Sequence, residues 1–187
     1  MKFISLLLIG SFVFFLGSCG SQQQTTKKKK FEEIEIPCAD KGSSDASFFR
    51  ASSVGKSKDL ATSKEKALLL TKQRLASLIN STVKSVTERY VSEMDAADAT
   101  EFNQNFENMT RDVVNQQLQD ITVTCEKTGQ SDDGMYETYL ALEVSKDVIY
   151  NGINKGISKD KKLEVKYDQM KFKEKFDEEM NKLQQGN

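Results

Sequence analysis

The chain has 187 residues, with 27 basic and 28 acidic side chains, three cysteines, no histidine and no tryptophan. The near balance of charge excludes a nucleic-acid binder built on a concentrated basic face, and the lack of histidine excludes Ser–His and Cys–His nucleophile pairs. Length and a modest apolar content bound the folded part to one domain with a small core.

The chain opens with Met1-Lys2 and an almost unbroken apolar run from Phe3 through Leu16. That is a short basic n-region followed by an h-region of secretory length. It falls short of the roughly 20 apolar residues a helix needs to cross a bilayer. The run ends in Leu16-Gly17-Ser18-Cys19, which matches the lipobox of bacterial lipoprotein precursors. Small side chains before the cysteine give a peptidase access to the bond, and the thiol is the nucleophile that takes a diacylglycerol as a thioether. Residues 1–18 are therefore expected to be a signal peptide, and Cys19 the first residue of the mature protein, carrying diacylglycerol and an N-acyl chain. No other cofactor is expected. The next residue is Gly20, whereas in enteric bacteria an aspartate there retains a lipoprotein in the inner membrane. By that resemblance the expected location is the cell envelope, lipid-anchored at the outer membrane, on either its periplasmic or its surface face.

Residues 19–44 read as a lipidated tether. Its first part is polar and of low complexity, including Gln22-Gln23-Gln24 and the run Lys27 to Lys30, and cannot bury a core. The lysines are a solvated linker or a contact with anionic headgroups. With Cys19 assigned to lipid, Cys38 and Cys125 remain. In an exported protein they form a disulfide or stay as two buried free thiols. The cysteine spacing fits no zinc site.

Next, residues 31–37 alternate weakly and are expected to add an edge strand, followed by a turn over 41–45. Residues 47–54 read as a strand with Phe48 and Phe49 on opposite sides, closed by Gly55 and Ser57. A long helix starts near Asp59, with Asp59 or Thr62 as cap and Thr62 to Glu65 as a capping box. Its face is Leu68, Leu75, Ile79, Val83, Val86, Tyr90 and Met94. Asp95 to Asp98 breaks the pattern, Asp98 to Glu101 offers another capping box, and Phe102, Phe106, Met109 and Val113 mark a second helix. From Ile121 the period becomes two, with a turn over 129–134 and a strand over 135–144, which makes a β-hairpin. Residues 161–185 are densely charged with a narrow stripe of Phe172, Phe176, Met180 and Leu183. The expected fold is α+β: a small three- to four-stranded, largely antiparallel sheet packed by two helices, plus a C-terminal charged helix. The expected division is 45–150 for the α+β domain and 151–187 for that helix, which packs back on the domain or docks a partner.

The stretch Val54-Gly55-Lys56-Ser57-Lys58-Asp59-Leu60-Ala61, continued through Ala67 to Arg74-Leu75-Ala76, resembles the small bacterial lipoproteins of the Lpp-twenty family. Members show a strand ending in glycine, an alanine-studded helix and a later hairpin. The resemblance covers roughly residues 47–144. It implies a membrane-associated lipoprotein without known catalysis. Related domains occur in periplasmic parts of flagellar assemblies, which implies a scaffold role.

Chemistry-bearing residues are sparse. Asp132 and Asp133 fall in the hairpin turn without the alternating oxygen ligands of a calcium loop, and Glu178-Glu179 falls on a charged helix. Ser57-Lys58 and Ser63-Lys64 are sequence neighbours, which do not face each other on a helix. Gly152 to Gly156 lacks the order of a phosphate loop. Thr122, Thr124 and Glu126, with Glu137 and Tyr139, offer a polar sheet face for contacts. The expectation is no enzyme, no catalytic residue and no metal, but a lipid-anchored envelope protein with a structural or protein-interaction role. The alternative is a periplasmic or surface ligand-binding lipoprotein. Expected partners are the membrane, an envelope protein or a second copy of the chain, and no nucleic acid.

Overall fold

A computed structural model describes residues 33–119 and 121–185. The expected signal peptide and Cys19 lie outside the described residues. The chain divides after Ile34, and the elements belong to the unit Glu35–Asn187. After a 3-10 turn at Asp40–Gly42 they run β1 (Phe48–Ser57), α1 (Leu60–Val91), α2 (Ala96–Gln117), β2 (Thr122–Gln130), β3 (Tyr136–Ser145), α3 (Lys146–Ile157), the single turn α4 (Lys161–Glu164) and α5 (Gln169–Gln185). The sheet is antiparallel in the order β1-β3-β2. The fold is α+β with a C-terminal helix, as the periodicities predict.

The strands follow from alternation. Phe49, Ala51 and Ser53 on β1, and Thr138, Leu140, Leu142 and Val144 on β3, turn one face inward. The register pairs Phe49 with Val144, Ala51 with Leu142 and Ser53 with Leu140, so one apolar surface is continuous across the two strands. The first half of α1 lies on that surface. Asp59 caps it by accepting the Thr62 amide at 2.8 Å, so Thr62 is inside the helix and opens no capping box of its own. Asp95, which makes no side-chain cap bond, precedes α2, one turn before the box expected from Asp98.

The residues of α1 that meet the sheet are small: Ser63, Ala67 and Thr71. Ser63 Oγ donates to the Gly55 carbonyl at 2.9 Å and lies 2.9 Å from Thr138 Oγ1. Ser53 Oγ donates to the Ala67 carbonyl at 3.1 Å. Gly55 is therefore not a turn but a position inside β1 where the helix backbone approaches closely. A Cβ at Gly55 would fall on the Ser63 carbonyl oxygen and the Ala67 amide nitrogen. The helix axis must move to admit it, so Gly55→Ala is expected to cost about 2–3 kcal/mol. Urea unfolding checks this; an unchanged midpoint would mean that α1 does not sit this close. The same close approach corrects the expected stripe. Leu68 is exposed, and Ala67 and Thr71 take the sheet-facing positions, because only small side chains fit between strand and helix.

At about 1.5 Å per residue, the 32 residues of α1 outrun the sheet, and the second half is the spine of a helical cluster. Ile79, Val83, Val86 and Tyr90 are buried there against Phe102 and Phe106 of α2, Ile149, Ile153 and Ile157 of α3, and Phe172, Phe176 and Met180 of α5. Phe49 of β1 joins the two regions by meeting Phe176 at 6.4 Å, and within the helical cluster Phe106 meets Phe172 at 5.3 Å and Phe102 at 5.4 Å between centroids. Gly152 and Gly156 lie where α3 crosses α2, and a Cβ at either would meet Val113 or Met109.

Further expectations are corrected. Residues 33–36 form no strand, and Phe31 and Glu32 lie outside the described residues. Pro37 and the left-handed Cys38 (φ 62°) turn the chain onto the sheet instead, and a proline has no amide to give to a ladder. α3 was not expected, and it crosses the division drawn at residue 150. Its cap is Ser145, which accepts from the Asp147 amide.

Candidate functional site

Cys38 and Cys125 are joined by a disulfide, with 5.6 Å between their Cα atoms. Cys125 is on β2 opposite Ala141 of β3, on the sheet face turned away from α1. The segment that leads into β1 thus lies across that face. Cys38 of the segment and Ala141 of the sheet are both buried, and Gly42 sits hard against Ser52. Arg50 organises the adjoining charges. Its Nε donates to Glu143 Oε2 at 2.8 Å, its Nη1 donates to Asp45, and its guanidinium lies over the Phe48 ring at 5.0 Å. Burial works against the Asp45 carboxylate, but Arg50 and the amides of Ser47 and Phe48 outweigh it and hold its pKa below the ordinary value. Lys56, with the Tyr139 hydroxyl, likewise lowers Glu137.

The two edges of the sheet differ. On β1 the Arg50 amide and carbonyl are bonded by Ser44 Oγ, the Ser52 carbonyl accepts from Arg74, and the Lys56 carbonyl accepts from Lys66. Side chains thereby block the strand edge. Backbone groups of Glu126 and Thr128 point outward on β2, because their register partners Leu140 and Thr138 face β1. Among the described residues, no group from another element bonds to the outer backbone of β2. The strand is nine residues long and exposed or half-buried throughout.

A third feature is a cleft of about 530 Å³ between the middle of α1 and α2. Asn80, Lys84 and Thr87 line it from α1; Asn103, Glu107 and Arg111 line it from α2. Thr110 is also in its wall. That residue is 5% exposed, and its hydroxyl has no hydrogen-bond partner among the described residues.

Of the residues singled out from sequence, Cys38 and Cys125 are brought together and Cys19 lies outside the described residues. Asp133 accepts from the Ser131 hydroxyl at 2.6 Å and the Met135 amide at 3.1 Å, bonds that close the turn and lower its pKa. Glu178 and Glu179 both pair with Arg89, at 3.2 and 2.8 Å, fastening α5 to α1. Glu126 pairs with Lys64 of α1 and faces the helix side of the sheet, whereas Glu137 and Tyr139 face the other side. They do not form one surface, because the register places them at alternate positions. Burial, with the Tyr150 hydroxyl acting in the same direction, raises the Tyr167 pKa; its hydroxyl donates to Asn154 Oδ1 at 2.6 Å, a structural bond. Among the described residues, no group of three acidic or cysteine side chains is placed to hold a metal ion. No helix among them is long and apolar enough to cross a membrane.

Sequence patterns did not announce the cleft or the open edge. The cleft needs the relative placement of two helices, and the edge needs the strand order. Comparison of the chain with protein-family models, with curated proteins and with solved structures finds no match.

Proposed function

We propose that this chain is a lipid-anchored envelope protein, held to the outer membrane through Cys19, whose folded unit is a non-catalytic protein-interaction module. The lipobox supports the anchor, and the resemblance to the Lpp-twenty lipoproteins points the same way. The observation that carries the interaction reading is the contrast between the blocked edge of β1 and the open edge of β2. A long unpaired strand edge offers main-chain hydrogen bonds to an extended segment of another polypeptide.

The test is cross-linking of the lipidated protein in intact cells, followed by extraction in mild detergent and identification of what comes with it. Palmitate labelling is expected for the natural chain and not for Cys19→Ala; labelling of that variant would sink the anchor. A stoichiometric envelope protein is expected with the natural chain and is lost in Glu126→Pro, which removes an outward amide without touching the bonds to β3. Undiminished recovery with Glu126→Pro would move the interface away from this edge. A second reading, capture of a small polar ligand, is favoured by the α1–α2 cleft and its unpartnered Thr110 hydroxyl. Its volume falls in the range of small-molecule sites. A bound compound in the mass spectrum of the purified protein would support it.

A further inference from the structure

Three consecutive large hydrophobic residues are exposed on the N-terminal half of α1. Leu68, Leu69 and Leu70 are 40%, 57% and 42% exposed. At 100° per residue, three consecutive leucines spread over the whole outward side of one helical turn, so they cannot all serve the core. Ser63, Ala67 and Thr71 already fill the sheet contact. Around this leucine belt the chain places Lys56, Lys58, Lys64, Lys66, Lys72 and Arg74 against Asp59 and Glu65. Two of the six cations are paired across to the sheet, Lys56 with Glu137 and Lys64 with Glu126. Lys66 and Arg74 donate only to backbone carbonyls, which leaves their charge uncompensated. Lys58 and Lys72 have no partner among the described residues. The patch therefore keeps a positive surplus on a chain whose net charge is −1.

Exposed leucines ringed by lysines are the composition of a helix that lies in a bilayer interface, apolar side chains in the acyl boundary and cations among anionic headgroups. The geometry points to one occupant: we infer that the first half of α1 docks flat on a membrane surface bearing anionic phospholipid. This goes beyond the anchor and rests on it only for bringing the bilayer near. From Cys19 to Cys38 an extended chain spans at most roughly 65 Å, against a radius of gyration of about 15 Å for a unit of this size. The tether is long enough for either side of the unit to face the membrane. The leucine belt and its lysines select which side does, and they leave the sheet face opposite α1, where Lys127 is paired with Tyr139, turned away.

The chain has no tryptophan, so Leu69→Trp introduces a single indole at the centre of the belt and Lys127→Trp introduces one at an exposed position on the opposite face of the sheet. Each purified lipidated variant is placed with vesicles of phosphatidylethanolamine and phosphatidylglycerol that contain brominated phospholipid. The expected result is a blue-shifted, quenched indole for Leu69→Trp and an unquenched one for Lys127→Trp. In phosphatidylcholine vesicles the Leu69→Trp quenching is expected to fall away. Adding Lys58→Gln and Lys72→Gln is expected to shift the docked equilibrium about 25-fold toward release, at roughly fivefold per basic residue near an anionic surface. Protein that floats with vesicles while the indole of Leu69→Trp stays unquenched overturns the docking and leaves the anchor standing. Protein without lipid on Cys19 overturns the anchor; the same quenching with excess vesicles then still decides the docking. A blue shift that depends on protein concentration and appears without vesicles would assign the belt to a second copy of the chain and overturn the membrane contact.

Discussion

Phe176→Ala is expected to destabilise the unit by about 4 kcal/mol and to release the C-terminal helix from the core. Phe176 is fully buried, as are Phe172 and Met180 one turn to either side. Its ring meets Phe49 of β1 at 6.4 Å, Tyr150 of α3 at 5.8 Å and Phe172 at 6.4 Å between centroids. It is thus the point at which α5 contacts both the sheet and the helical cluster. Removing it loses the transfer free energy of a large aromatic group and leaves a cavity that three elements would have to collapse to fill. The polar contacts cannot compensate. Arg89 reaches Glu178 and Glu179, and Lys146 reaches Asp177 at 3.1 Å, but these are partly exposed pairs worth little individually. Urea unfolding followed by circular dichroism gives the loss, and hydrogen exchange along residues 169–185 locates it. A loss under about 1 kcal/mol, the scale of an ordinary surface substitution, would mean that α5 is an appendage. One consequence bears on interaction studies: deleting 161–187 takes out Leu163, Phe172, Phe176 and Met180 together, so loss of a partner from that truncation would report unfolding rather than a severed docking helix.

Opening the Cys38–Cys125 bridge is expected to cost about 4 kcal/mol. The bridge ties residues 87 apart in sequence, and closing a loop of that length removes much of the freedom of the unfolded chain. The folded unit needs it for a local reason as well. Residues 33–47, the described segment before β1, have no regular element beyond one 3-10 turn, and their hold on the sheet is the disulfide with the bonds of Ser44 and Asp45 near Arg50. Without the bridge, Ala141 and the middle of the outer sheet face lose their cover. The measurement is the urea midpoint of the natural chain against Cys38→Ala/Cys125→Ala, with intact mass before and after reduction and alkylation. Two alkylatable thiols in the unreduced protein would rule the bridge out. A bridge present but worth under about 1 kcal/mol would mean that the unfolded chain is already confined in that region.

Much of the fold is readable along the chain because its signals are local. The stripe of Leu75, Ile79, Val83, Val86 and Tyr90 identifies α1 by its own period, and Phe102, Phe106 and Val113 do the same for α2. The switch to period two after Ile121 identifies the hairpin. Where reading failed, two elements compete for one position. Leu68 looks like a core residue by hydrophobicity and spacing. The sheet, however, takes Ala67 and Thr71, because Gly55 lets the helix come closer than a leucine allows. α3 went unread although Ile149, Ile153 and Ile157 repeat at fours, because the alternation of β3 runs directly into it without a glycine or proline between them. Residues 31–37 alternate as a strand would, but Pro37 and Cys38 steer the chain over the sheet.

The sequence by itself determined the expectation of a lipidated cysteine, the α+β class, the order of the principal helices and strands, and the small choice of pairings open to three cysteines. Each follows from composition or from a period that one segment carries alone. Only the tertiary structure decided that α5 belongs to the core, that β1 is blocked while β2 is open, that α1 and α2 part to form a cleft, and that three leucines stay outside. Those properties depend on which faces are left over once the elements have packed, and a leftover face has no period of its own.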